Sequence, residues 1–101
     1  MLELEAELDL LEIGRYTVRT WSIEQAERYL GALNQHFEAI SRNDAIGKSV
    51  FEHRDDIRVS RCQHHYVFFV RDHELGTLIL AVLHENMDLM ERLRQRLGLP
   101  E

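Results

Sequence analysis

The stretch from Gln63 to Asp88 constrains the fold more than any other part of the sequence. It contains two short apolar runs, HYVFFV at 65–70 and TLILAVL at 77–83. Runs of aromatic, β-branched and other large apolar residues are typical of strands that are apolar on both faces. The polar segment Arg71–Gly76 between them ends in a glycine and predicts a hairpin loop. A hairpin this apolar needs helices packed against it.

Two helices are predicted ahead of this hairpin. The first spans 4–20, and its core-type positions form two stripes: Ala6, Leu10, Ile13 and Thr17, and Leu4, Leu8 and Leu11. We therefore expect this helix to bury more than one face. The second helix begins at a capping box formed by Ser22 and Gln25. Its apolar stripe is Ile23, Ala26, Leu30, Leu33, Phe37 and Ile40. The very short turn between the helices predicts an antiparallel helical hairpin.

The remaining segments complete an α+β pattern. Weak alternation at 57–61 predicts a strand, whereas 43–55 is polar and predicted to be irregular. A last helix is predicted at 87–97, where Met87, Met90, Leu93 and Leu97 form a stripe that Gly98 and Pro100 end. We expect one domain over 1–101, in which the helical hairpin packs on a small antiparallel sheet and a C-terminal helix follows. The sheet is predicted to have three full strands, near 57–61, 64–71 and 76–83.

Composition narrows the classes of function. The net charge is −6, and residues 1–56 hold twelve acidic and six basic side chains. Because phosphate backbones attract proteins through Lys and Arg, direct nucleic-acid binding is disfavoured and protein partners are expected. The single Cys62 excludes an internal disulfide and fits a reducing compartment. The sequence shows no export signal and no apolar run long enough for a membrane helix, so a cytoplasmic location is expected.

Five pieces of the chain resemble the ParE toxins of the RelE/ParE superfamily, and they occur in the family's order and spacing. They lie in the first helix (Glu5 to Thr17), the second helix (Trp21 to Leu33), the Ile46-Gly47-Lys48 loop, the His65–Phe69 strand and the Val82–Asp88 segment. ParE chains usually begin with a strand ahead of the first helix. Only residues 1–3 precede the helix here, so we expect that first strand to be truncated to a stub.

The resemblance implies a toxin of a type II toxin–antitoxin module that inhibits DNA gyrase by protein contact, with no catalytic residues and no cofactor. It also implies a ParD-like antitoxin that wraps around the toxin and forms a hetero-oligomer with it. On this basis we predict two groups of contact residues. Those for the target are His84, Met87, Asp88 and Arg92, and those for the acidic groups of the antitoxin tail are Arg54, Arg58 and Arg61.

Two alternatives follow from other readings of the same residues. A RelE-like ribosome-dependent mRNA ribonuclease would need a base, an acid and cations around a phosphate, for which the candidates are His65, His84, Arg58 and Arg61. An inactive relative would only pair with its antitoxin and regulate their operon. No metal site is expected, because the crowded group Cys62, His64 and His65 lacks the paired ligand spacing of a structural zinc site.

Overall fold

A computed structural model describes residues 2–99, apart from the side chain of Asp55. The predicted α+β class is confirmed. The predicted strand stub includes Met1, and the predicted end of the last helix includes Pro100. Both residues lie outside the described part of the chain. The elements in chain order are α1 (Leu4–Thr20), α2 (Ile23–Ser41), β1 (Lys48–Phe51), β2 (Arg54–Cys62), β3 (His65–Asp72), β4 (Gly76–His84) and α3 (Leu89–Leu97).

The helical hairpin forms as predicted. The Ser22 hydroxyl accepts a hydrogen bond from the Gln25 N–H at 3.1 Å, so α2 begins at the predicted cap. The inner faces of α1 and α2 pack on one face of the sheet. Fully or nearly fully buried residues in this core include Ala6, Leu33, Phe37, Ile40, Val67, Phe69, Ile79 and Val82.

The outer face of α1 corrects the prediction that this helix buries two stripes. Leu4, Leu8, Leu11 and Val18, which we call the outer stripe, point away from the core and are exposed. Leu4 is 69% exposed, and Leu8 and Leu11 are about half exposed, at 51% and 50%. Because only one side of α1 meets the sheet and α2, the second stripe has no cover among residues 2–99. Ile23, assigned to the core stripe of α2, is likewise exposed.

The sheet has one strand more than predicted. Its order is β1-β2-β3-β4, antiparallel throughout, and β1 occupies part of the segment predicted to be irregular. Arg58 on β2 donates to the carbonyl oxygens of Ile46 and Gly47, both at 2.9 Å, and so holds the entry to β1. Gly47 has φ +73°, and a Cβ there would lie 2.8 Å from the Val59 carbonyl oxygen. The backbone therefore requires glycine at this position.

The stub before α1 is confirmed for its described residues. Leu2 forms a single parallel bridge with Ile79, and the Glu3 N–H donates to the Ile79 carbonyl at 2.9 Å. This contact covers only one point on the free edge of β4.

The C-terminal helix covers the other face of the sheet. Leu93 is fully buried against Phe68, Ala81 and Leu83, with Leu89 and Leu97 packed around them. The helix starts at Leu89 rather than at Met87, because the Asp88 carboxylate accepts from the Glu91 N–H and caps it. The predicted stripe is therefore core at its centre, whereas Met87 lies before the helix and is exposed.

Candidate functional site

A groove of about 670 Å³ opens where α1 passes the end of β4 and the start of β3. One wall comes from α1 and the turn after it, and the other comes from the end of β4 and the turn that follows. The lining residues include Glu12, Tyr16, Trp21, Tyr29, His64, His65, His84, Glu85 and Met87. Several aromatic and imidazole rings therefore meet in one concave site.

The base of the groove is a hydrogen-bonded pair, Tyr29 and His65. The Tyr29 hydroxyl accepts from the His64 backbone N–H at 3.2 Å and lies 2.6 Å from Nδ1 of His65. Burial, together with the neighbouring His84 and His64, lowers the pKa of His65 to about 4. The imidazole is therefore neutral at pH 7. Because the Tyr29 hydroxyl accepts from the His64 N–H and keeps its own proton, we assign Tyr29 as the donor to Nδ1, which places the His65 proton on Nε2. The same burial raises the pKa of Tyr29.

We expect His65 to make the stability of the fold depend on pH. Its pKa of about 4 in the folded protein is below the ordinary value of 6.5. Between these two values the unfolded chain binds the extra proton, so stability is lost as pH falls, by up to about 1.4 kcal/mol per pH unit. Denaturation curves from pH 7 to 4 measure this, with His65→Asn as the control because its side-chain oxygen replaces the Nδ1 acceptor without titrating. Equal pH dependence of the two proteins would contradict the assignment.

The second histidine, His84, is the strand partner of His65 in the β3–β4 register. The two rings meet edge to face with their centroids 5.1 Å apart. Nδ1 of His84 accepts from the Asn86 N–H at 3.1 Å, and the Met87 N–H donates to the His84 carbonyl at 3.0 Å. This tight turn places Met87 at the mouth of the groove, where it is 42% exposed.

The rim of the groove carries the carboxylate of Glu85, which accepts hydrogen bonds from two side chains. Glu85 accepts from Arg61 through one carboxylate oxygen and from Nδ1 of His64 at 2.8 Å through the other. The hydrogen bond from His64, followed by the charge of Arg61, lowers the pKa of Glu85. Glu85 therefore stays ionised near neutral pH and fixes the turn after β4 against the end of β2.

The structure brings together two of the four residues predicted to contact the target. His84 and Met87 both line the groove. Asp88 instead uses its carboxylate to cap α3, and Arg92 is exposed on that helix.

The three arginines predicted to contact an antitoxin do not form one patch. Strand alternation places Arg54 and Arg58 on one face of β2 and Arg61 on the other. Arg54 pairs with Asp56 at 2.8 Å, whereas Arg58 holds the 46–47 loop. Arg61 lies over the Tyr66 ring, 5.5 Å from its centroid, as well as contacting Glu85.

The structure brings together only two of the four residues predicted for a ribonuclease site. His65 and His84 are adjacent, but Arg58 is anchored at the loop before β1 and Arg61 lies on the opposite face of the sheet from it. Within residues 2–99, no three His, Cys, Asp or Glu side chains are arranged to hold a metal ion. In that same part of the chain, no helix combines the length and apolar character needed to cross a membrane.

The sequence interpretation did not identify the aromatic wall of the groove. Tyr16 and Trp21 are 59% and 55% exposed, and neither is among the site residues that the sequence predicted. A signal was present for Trp21, because a large aromatic residue at the turn before a helix cap has little core available to it. No local pattern indicates the role of Tyr29, because its bond to His65 joins residues 36 positions apart.

Comparisons with known proteins identify the family that the sequence resembles. Residues 1–89 match the family described as "ParE toxin of type II toxin-antitoxin system, parDE". The chain is 41% identical over 97 residues to Toxin ParE of Escherichia coli, covering 96% of this chain and 94% of that protein. It is 32% identical over 90 residues to Toxin ParE1 of Mycobacterium tuberculosis, covering 88% of this chain and 91% of the relative.

Proposed function

This chain belongs to the ParE family of toxins of type II toxin–antitoxin systems, and from that premise we propose that it inhibits DNA gyrase by protein contact through the groove beside His65 and His84. The observation that carries the proposal is the exposure of Tyr16, Trp21 and Met87 around one concave site. Tyrosine and tryptophan dominate the binding energy of protein interfaces, and methionine adapts to varied partners.

Charge supports a protein target over a nucleic acid. The chain carries a net charge of −6, and the groove itself is lined by Glu12 and Glu85. Such a surface repels a phosphate backbone but complements a basic segment of a protein. Because Nδ1 of His84 already accepts from Asn86, Nε2 is the ring nitrogen through which His84 would contact the target.

Membership of a type II module implies an antitoxin partner. We propose that this partner is ParD-like and forms a hetero-oligomer with the toxin. Both proteins would act in the cytoplasm. Arg54 and Arg61 have side chains that are about half exposed, so each retains a surface for an acidic group of the antitoxin tail. Arg58 contributes by fixing the loop before β1. Because the arginines lie on both faces of β2, the antitoxin has to pass around the edge of the sheet to reach them all.

The test compares two variants in a purified gyrase supercoiling assay and in a ribosome-dependent mRNA cleavage assay. Trp21→Ala combined with Met87→Ala should weaken gyrase inhibition by at least about tenfold, because it removes two anchors of the groove. Leu75→Ala, at an equally exposed apolar residue in the β3–β4 turn, is the matched control and should leave inhibition unchanged. Circular dichroism on all variants confirms that the fold is kept.

The second variant separates contact from catalysis. Changing His65 and His84 to Gln keeps hydrogen-bonding capacity but removes proton exchange near neutral pH. Gyrase inhibition should be largely retained, because Gln keeps a hydrogen-bonding group at the His84 contact. A ribonuclease that uses either histidine would instead lose about 10²–10⁴-fold in rate. Message cleavage that disappears in this variant would overturn the proposal in favour of the ribonuclease. Antitoxin binding without either activity would identify an inactive relative.

A further inference from the structure

His65 at the base of the groove has a ring nitrogen that is open to a ligand. The side chain is only 7% exposed, and its Nδ1 accepts from the Tyr29 hydroxyl. Nε2 has no hydrogen-bond partner among residues 2–99, although no fully buried side-chain nitrogen or oxygen in that part of the chain lacks one. Nε2 is therefore reached from the groove that His65 lines. Because polar atoms on buried side chains are normally hydrogen-bonded, this nitrogen marks a position for a ligand atom.

A hydrogen bond fixes the same tautomer on His84. Its Nδ1 accepts from the Asn86 N–H at 3.1 Å, so Nδ1 carries no proton and the ring proton lies on Nε2. Nε2 of His84 also has no hydrogen-bond partner within the described part of the chain, and His84 lines the same groove. The ring centroids of His65 and His84 are 5.1 Å apart. The groove therefore has two neighbouring N–H donors, the Nε2–H groups of these rings, which we call the donor pair.

The donor pair suits the binding of an oxygen atom. Each ring uses the lone pair of its Nδ1 inside the protein and carries a proton on the nitrogen that remains, so neither ring offers a basic nitrogen to a substrate. A carbonyl oxygen has two lone pairs and can accept from two donors. The ligand atom that matches the donor pair is therefore an acceptor oxygen.

The other lining residues indicate which molecule carries this oxygen. Among the described residues that line the groove there is no lysine or arginine, whereas Glu12 and Glu85 are both present. These carboxylates repel an anionic acceptor and favour a neutral one. Trp21 and Met87 line the same groove and are exposed, so they provide apolar surface for a side chain next to the oxygen. A peptide carbonyl beside an apolar side chain has both properties.

We propose that the donor pair binds a main-chain carbonyl oxygen of the target protein, in a loop that places an apolar side chain against Trp21 and Met87. Gyrase supplies this loop, so this role of the donor pair rests on the proposed function. A carbonyl that is buried in the complex without its donors would remain unpaired, and affinity would fall. His65 and His84 are therefore binding residues that select an uncharged acceptor.

The tautomers can be measured without any partner. Proton–nitrogen correlation NMR spectra of the labelled full chain distinguish an imidazole protonated on Nδ1 from one protonated on Nε2. Both His65 and His84 should be protonated on Nε2 at neutral pH. A proton on Nδ1 of either neutral ring would remove one donor and overturn the proposal.

Two double variants separate the donors from the other roles of the rings. Asparagine replaces the Nδ1 acceptor but has no donor at the position of Nε2, whereas glutamine can place an N–H there. His65→Asn with His84→Asn should weaken gyrase inhibition by at least about tenfold, and the corresponding Gln pair by less than about threefold. His73→Asn, at an exposed histidine in the β3–β4 turn, is the control and should inhibit like the wild type. Circular dichroism verifies that each variant is folded.

Two small probes test the chemical class of the ligand without gyrase. N-acetyl-leucine N-methylamide and N-acetyl-leucine share a side chain, but the first ends in a neutral carbonyl and the second in a carboxylate. Trp21 is the only tryptophan of the chain, so its indole NMR signal reports on the groove. The amide should shift this signal more than the acid does, and the Asn double variant should lose the response.

The outcomes distinguish this proposal from the gyrase proposal. If the wild type and the Asn double variant inhibit gyrase equally, the donor pair is not used and only the present proposal fails. If the wild type does not inhibit gyrase, the proposed function fails and the probes alone decide the carbonyl site. A stronger response to the acid, or no response to either probe, would overturn the site. Loss of antitoxin binding in place of gyrase inhibition would assign the carbonyl to the antitoxin instead.

Discussion

Replacing Leu33 by alanine is expected to lower the free energy of unfolding by about 2–5 kcal/mol. Leu33 is fully buried in the middle of α2, and it belongs to the core cluster that includes Phe37, Phe69 and Ile79. Truncation removes apolar surface from the core and leaves a cavity that the rigid sheet cannot fill by moving. Phe37→Ala, one turn further along the same stripe, should have an effect of the same size.

Chemical denaturation with a two-state fit measures this loss. Leu11→Ala on the outer face of α1 is the matched control, since Leu11 is half exposed and its removal should change stability by less than about 1 kcal/mol. A Leu33 variant no less stable than the Leu11 variant would mean that α2 does not face the sheet.

The elements that the sequence predicts well are those fixed by neighbouring residues. The capping box at Ser22 and Gln25 starts α2 where expected, because the bond joins residues three positions apart. The two apolar strands around Gly76 form the expected hairpin, and Gly76 has the positive φ of +80° that its turn requires. The strand Lys48–Phe51 was missed because four residues of mixed polarity carry no periodic signal. Its pairing with β2 depends on Arg58 and Gly47, whose contact is visible only in three dimensions.

Periodicity also cannot say which of two apolar stripes faces the core. On α1, the stripe through Ala6 is buried and the stripe through Leu8 is exposed, although leucine is the larger apolar residue. The small side chain of Ala6 is what lets the helix lie close to the sheet. For the groove, the sequence indicated His84 and Met87 through a family resemblance, but the exposure of Trp21 depends on how the helical hairpin turns over the sheet.

A long-range group of polar contacts joins α1, β4 and α3, and in it Arg96 also pairs with Glu5 of α1 at 2.6 Å. Arg96 binds both carboxylate oxygens of Asp9 at 3.0 Å and donates to the Leu80 carbonyl at 2.9 Å. Asp9 also accepts from the Val82 N–H at 2.9 Å. These two side chains therefore satisfy backbone groups on the free edge of β4, which would otherwise be open to pairing with another strand. No local pattern could reveal a pair that is 87 positions apart.

Replacing Arg96 by methionine is expected to destabilise the fold by about 3 kcal/mol, because it leaves the Asp9 carboxylate without its cation and the Leu80 carbonyl without its donor. The side chains of Arg96 and Asp9 are only 19% and 16% exposed, so water replaces these partners poorly. Arg54→Met is the control: its pair with Asp56 is equally direct, at 2.8 Å, but about half exposed. This control should cost less than about 1 kcal/mol.

A double-mutant cycle with Asp9→Asn separates the pair from the packing of α3. If the ion pair carries the loss, the Asp9→Asn and Arg96→Met changes together should cost clearly less than the sum of the two single changes. Asparagine can still accept from the Val82 N–H, so the neutral double variant keeps part of the protection of the β4 edge. Additive losses, or an Arg96 variant as stable as the Arg54 variant, would show that α3 is held by Leu93 and its apolar neighbours alone. The coupling free energy between Asp9 and Arg96 therefore decides whether their ion pair or the apolar contacts of α3 stabilise this edge of the sheet.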